Sequence, residues 1–139
     1  MLAELLELPA ELISRQSFPG AALAVRCTGA VTEEKLAMLR RADAIFREEI
    51  NESGQDRRLT HFFAVLTDTR ALGRPGTGQR GYVCALRAVS RQGASGYSVG
   101  KLPYDLLDRV ARRVTAEVPG ISRVVLDITD SSAAEVEWE

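Results

Sequence analysis

Residues 32–51 read as one amphipathic helix, and this run constrains the rest of the fold. Thr32 offers an N-cap oxygen, and Glu33 and Glu34 stand in the first turn, where the helix dipole favours acids. Leu36, Leu39, Ile45, Phe46 and Ile50 recur at helical spacing with Met38 and Ala42 beside them, while Arg40, Arg41, Arg47, Glu48 and Glu49 fall mainly on the remaining, solvated face. Such a stripe must be buried against a second layer, and the downstream chain supplies strands for it. His61-Phe-Phe-Ala-Val-Leu-Thr67 and Tyr82-Val-Cys-Ala-Leu-Arg-Ala-Val89 are short apolar runs rich in β-forming residues. Gly73-Arg-Pro-Gly-Thr-Gly78 between them fits no regular element, so the two runs are strands joined by a long connection. A second loop, 90–101, leads to Pro103, which suits the first turn of a helix running to about Val118 through Leu106, Leu107, Val110 and Val114. Pro119-Gly120 ends that helix and residues 121–129 read as a strand. The last residues, 133–139, alternate strictly, with Ala134, Val136 and Trp138 on one face and Glu135, Glu137 and Glu139 on the other, which predicts a terminal strand.

From residue 31 onward the order is helix, strand, strand, used twice. That order predicts an α+β fold of two layers, an antiparallel sheet with both helices on one face. Residues 1–30 precede it as an N-terminal arm of two helical turns, a loop at Ser17-Phe-Pro-Gly20 and a short strand over 21–27, while 31–139 form the domain body. At 139 residues the chain has the length of a single domain. The second sheet face has no helix to cover it, so it is either polar or covered by another chain.

Several function classes are set aside by simple counts. Lys and Arg number 18 against 19 for Asp and Glu, so no global charge draws the chain to nucleic acid or to an anionic membrane. No apolar stretch nears the ~18 residues that a membrane span needs, and Met1-Leu-Ala-Glu-Leu-Leu-Glu-Leu8 carries acids where a secretory signal wants bases. A cytoplasmic protein is expected, and Met1 hints at an independent start. Cys27 and Cys84 lie in apolar runs without Cys or His at zinc spacing, and read as buried reduced thiols. His61 is the single histidine and reads as a strand-end residue, because no nucleophile accompanies it in a recognisable motif.

What remains are charged residues in unusual places. The loop bearing Arg70, Arg74 and Arg80 is glycine-rich but lacks the Gly-Lys-Ser/Thr ending of a phosphate-binding loop. Gly73-Arg-Pro-Gly76 matches the Gly-x-x-Gly of an RNA-binding KH domain but lies between strands, the wrong place for it, so an RNA-binding module is kept only as a third reading. Arg87 inside an apolar strand must find an anion: a structural ion pair with Asp127 or a terminal glutamate, or a ligand. Glu137 faces the same choice between an arginine and the donors of a base or amine. Trp138 reads as core or interface.

Beyond these, blocks of residues along the chain resemble one family. Arg15-Gln-Ser-Phe-Pro-Gly-Ala-Ala-Leu23 is similar to Arg-Gln-Pro-Phe-Pro-Gly-Pro-Gly-Leu at the start of the C-terminal dimerisation domain of glutamine-hydrolysing GMP synthases. Val31-Thr-Glu-Glu-Lys-Leu36, Arg41-Ala-Asp-Ala-Ile-Phe46, Ala85-Leu-Arg-Ala-Val89, Leu102-Pro-Tyr-Asp-Leu-Leu107, Val118-Pro-Gly-Ile-Ser-Arg-Val-Val125, Asp127-Ile-Thr129 and Glu137-Trp-Glu139 follow in the same order.

The resemblance implies homodimerisation and a contribution to XMP binding in GMP synthesis, with Arg15, Phe18, Pro19, Gly20, Arg87 and Glu137 as the substrate-binding positions. It implies no catalytic residue, metal or cofactor in this chain. ATP and Mg are expected only on an ATP-pyrophosphatase domain or subunit, a possible partner, and no nucleic-acid or membrane partner is expected. The pyrophosphatase's Ser-Gly-Gly-rich loop and a glutaminase Cys-His-Glu triad are both missing. Ser131 stands where the family has a lysine expected at the XMP phosphate, and the loops near 70–80 and 93–100 depart from the family pattern. The alternative is therefore a stand-alone dimerisation or interaction module that has lost nucleotide binding.

Overall fold

The computed structural model describes residues 25–91, 96–131 and 134–138. Thr32 caps α1 (Glu33–Ser53) with extended backbone, its hydroxyl oxygen accepting the Lys35 N–H at 3.1 Å. Gly54 closes the helix at φ 79°, a left-handed conformation that glycine adopts freely, and donates its N–H to the Asn51 and Ile50 carbonyls. A short 3-10 turn (Gln55–Arg58) leads into β1 (His61–Leu72), which forms a hairpin with β2 (Arg80–Arg91). Then come β3 (Tyr97–Val99), α2 (Tyr104–Glu117) and β4 (Ile121–Asp127).

The α+β class and the two layers are as the pattern anticipates. β2 is the central strand, with β1 along one edge and β3 and β4 sharing the other. Two details differ from expectation. The β1/β2 and β2/β3 pairs are antiparallel, but β4 runs parallel to β2, from Val83 opposite Arg123 to Arg87 opposite Asp127. Between these strands α2 carries the chain back along the sheet, the crossover that a parallel neighbour requires. The expected terminal strand is also absent, since residues 134–138 form no strand. Their alternation is real, but the carbonyls of Glu135 and Val136 are held by the Arg87 side chain instead of a neighbouring strand.

Period-two alternation divides the strand side chains between two faces. Ala64, Leu66, Cys84, Leu86 and Ala88 join Leu39, Ile45, Phe46 and Ile50 of α1 and Leu106, Val110 and Val114 of α2 in the main core. Phe46 meets the Phe62 ring edge-on at 6.4 Å, and truncating such a buried phenylalanine to alanine costs about 3–5 kcal/mol. The opposite face carries a smaller cluster of Phe63, Val65 and Ala85, with Val136 packed on it. The chain's own last segment thus helps to cover the face that the sequence left polar or awaiting a partner.

The outer edge of β1 is closed by side chains and by the chain preceding α1. Ala64 N–H donates to Asp43 Oδ1 at 2.8 Å, Leu66 N–H to the Arg26 carbonyl at 2.9 Å, and Asp68 N–H to Thr28 Oγ1 at 3.0 Å. Between the two helices Arg113 reaches Glu48 and Glu49 of α1 as well as Glu117 of its own helix.

Candidate ligand site at the carboxyl-terminal segment

Arg87 lies at the middle of this arrangement. It is fully buried, at 0% exposure, on the face of β2 opposite the helices. A guanidinium in such a place must satisfy its donors. Nε donates to the Val136 carbonyl at 3.2 Å, Nη2 to the Glu135 carbonyl at 3.0 Å and Nη1 to the Thr129 carbonyl, and Nε also stands 3.4 Å from Asp127 Oδ2. The Asp127 pairing anticipated from sequence is present. The terminal glutamate takes part through its backbone carbonyl, while its carboxylate does not appear among Arg87's acceptors.

Asp127 ties the same segment from the other end, accepting the Thr129 N–H at 3.0 Å and the Trp138 indole N–H at 2.8 Å. Burial lifts its pKa, but the hydrogen bonds from Thr129 and Trp138, with the charge of Arg87, outweigh burial and hold the carboxyl below the usual aspartate value.

Glu137 is presented by this anchored backbone. Its side chain is 38% exposed, and both oxygens are engaged by Arg26, Oε1 at 3.1 Å from Nε and Oε2 at 2.7 Å from Nη2. The Arg26 guanidinium in turn lies 3.9 Å over the Phe63 ring. His61 opens β1, with its ring 5.4 Å from that of Tyr97. Burial lowers the His61 pKa, the charge of Glu137 opposes that shift, and Arg26 and Arg91 reinforce it. Arg26 was not singled out from sequence, yet it carries the signal that marks Arg87: an arginine inside an apolar run, which must have an anion.

The structure thus brings Arg87 of β2 and Glu137 to the same carboxyl-terminal segment in different environments, Arg87 sealed beneath it and Glu137 on it reaching solvent. Arg15, Phe18, Pro19 and Gly20 lie outside the described residues. Ser131 is stitched to β3: its hydroxyl donates to the Tyr97 carbonyl at 2.7 Å and accepts the Tyr97 N–H at 2.9 Å, while Asp130 Oδ1 accepts the Val99 N–H at 3.1 Å.

The glycine-rich loop is the tip of the β1–β2 hairpin, where Arg74 and Arg80 are exposed. Arg70 stacks 4.3 Å from the Tyr82 ring, and Arg123 donates to the Leu72 carbonyl at 3.2 Å. Cys27 and Cys84 are buried free thiols, and burial pushes Cys84 up to about 12. Among the described residues no group of three or more His, Cys, Asp and Glu could hold a metal ion, and no helix is long and apolar enough to cross a membrane.

Comparison with known proteins bears on the same segment. The family model for the GMP synthase C terminal domain matches residues 48–138. Glutamine-hydrolyzing GMP synthase of Aeropyrum pernix is 48% identical over 100% of this chain and 27% of its own length. That of Thermomicrobium roseum is 49% identical over 99% of the chain and 26% of its own length. That of Clostridium acetobutylicum is 44% identical over 99% of the chain and 27% of its own length. The chain therefore spans about a quarter of the length of these three relatives.

Proposed function

This chain belongs to the GMP synthase C-terminal domain family, and on that premise we propose that it serves GMP biosynthesis by joining two copies of the synthase and by helping to hold XMP beside Glu137. Adenylation and ammonia supply belong to other parts of such an enzyme. The observation that carries the reading is Glu137 itself, a partly exposed carboxylate on a backbone fixed by Arg87 and oriented by a two-pronged contact with Arg26. A carboxylate held this way accepts the ring N–H groups that a xanthine base offers. Arg87 acts beneath it, fixing the backbone that presents the carboxylate.

Calorimetry with XMP tests the reading, on the chain alone and with a pyrophosphatase subunit added. Wild-type protein should release heat, and Glu137→Gln should weaken binding about tenfold or more, the scale of a lost charge-assisted hydrogen bond. No heat in either setting removes the binding half of the proposal.

Pairing of copies is favoured by exposed Val125, Ile128 and Trp138, large apolar side chains on β4 and the segment after it. Light scattering should report a dimer, and a monomer at high concentration overturns that half. Ser131 favours the second reading, a pairing module without nucleotide binding, because its hydroxyl is already engaged by the Tyr97 backbone.

A further inference from the structure

Lys35 occupies a place where a lysine is costly. It lies in the first turn of α1, at the positive end of the helix dipole, and is only 3% exposed. An apolar side chain there would extend the stripe that α1 buries, so the ammonium is held for what it contacts. Nζ donates to the Thr28 carbonyl at 2.8 Å and to Asp68 Oδ1 at 3.0 Å, and stands 5.2 Å from the centre of the Tyr82 ring. Asp68 falls in the irregular stretch of β1 between Leu66 and Arg70, where the register against β2 shifts. Gly29, at φ 78°, lets the chain pass so close that a Cβ there would lie 2.5 Å from the Asp68 carboxyl carbon.

These contacts lead toward Glu137. Thr28 N–H donates to the Leu66 carbonyl and Leu66 N–H to the Arg26 carbonyl, both at 2.9 Å, so Arg26 and Thr28 bracket Leu66 on the edge of β1. The carbonyl that Lys35 grips therefore belongs to the short stretch whose other end sends the Arg26 side chain over Phe63 to Glu137. We infer that Lys35 is a positioning residue for the Glu137 site: by clamping Thr28 to Asp68 it sets the place of Arg26, and through Arg26 the aim of the carboxylate. This rests on the reading of Glu137 as the XMP-binding group.

The test pairs Lys35→Met, which keeps the stem and loses the donors, with Lys35→Arg, in the full chain. XMP affinity should fall about tenfold in Lys35→Met and recover largely in Lys35→Arg. In an Arg26→Met background, Lys35→Met should have little further effect, because both act on one path. A fall in unfolding midpoint with unchanged XMP affinity, or an effect that simply adds to that of Arg26→Met, overturns the inference. If Lys35→Met does not fold, Asp68→Asn weakens the same clamp and must show the same non-additivity. Absence of XMP heat in the wild type defeats the binding proposal and leaves this one to hydrogen exchange: faster exchange of residues 134–138 in Lys35→Met supports it, and unchanged exchange overturns it.

Discussion

Arg87 of β2 and Asp127 of β4 are register partners across the parallel pair, with Arg87 Nε 3.4 Å from Asp127 Oδ2. Because the same guanidinium also holds the carbonyls of Thr129, Glu135 and Val136, one buried side chain joins the sheet to the chain that leaves it.

Arg87→Met should therefore cost about 3–5 kcal/mol in urea unfolding, since it leaves three carbonyls without their donor and Asp127 without its cationic partner. Arg87→Lys should recover only part of this, because an ammonium cannot reproduce the planar fork that reaches all four acceptors. Trp138, the only tryptophan, should shift its emission in both variants as the segment loosens.

Acid should release the same segment. The native pKa of Asp127 lies below its unfolded value of about 3.9, so its stabilisation is complete above that value and is lost as pH falls through the lower native one. The difference in stability between wild type and Asp127→Asn should be constant near neutrality and shrink below pH ~4, within reach of fluorescence-monitored unfolding.

The thiols should be silent in the folded protein. Cys84 is buried and pushed up to about 12, so almost no thiolate exists near neutral pH, and Cys27 is sealed alongside it in the core. A thiol reagent at pH 8 should label neither cysteine until denaturant is added, when both should react. Rapid labelling of the native protein would contradict the packing.

Asp43 is a staple between α1 and β1, since Oδ1 accepts the Ala64 N–H at 2.8 Å and Oδ2 the Arg47 Nε at 2.7 Å. Asp43→Ala should cost about 1–3 kcal/mol by leaving that N–H without an acceptor, and Asp43→Asn, which retains an acceptor, should cost less. Thermal unfolding and the exchange rate of the Ala64 amide would measure the difference.

Elements whose signals are local were legible in the sequence. The helix expected over 32–51 is α1 (Glu33–Ser53), and the helix after Pro103 is α2 (Tyr104–Glu117). Caps and apolar stripes act within a few residues, so they can be read directly. The two strands of the hairpin, β1 and β2, are longer than their apolar runs, because hydrogen bonding continues past the last buried residue toward the hairpin tip. The parallel placing of β4 was not legible, being decided by how α2 crosses the sheet. At the candidate site, the need of Arg87 for an anion was visible, and so was Asp127 as a partner. That its remaining acceptors are backbone carbonyls 42 to 49 residues further along the chain was not, because backbone carbonyls leave no trace in residue identity. Strict alternation at 134–138 misled for the same reason, since Val136 packs on the sheet face without its neighbours joining the ladder.

The closed edge of β1 limits how copies can meet. With the outward N–H groups of Ala64, Leu66 and Asp68 already answered, an incoming strand finds the donors along the middle of that rim taken. Growth of the sheet from molecule to molecule, the route to fibres, is opposed along that stretch, and this favours contact between copies through side-chain surfaces, which can close on themselves and stop.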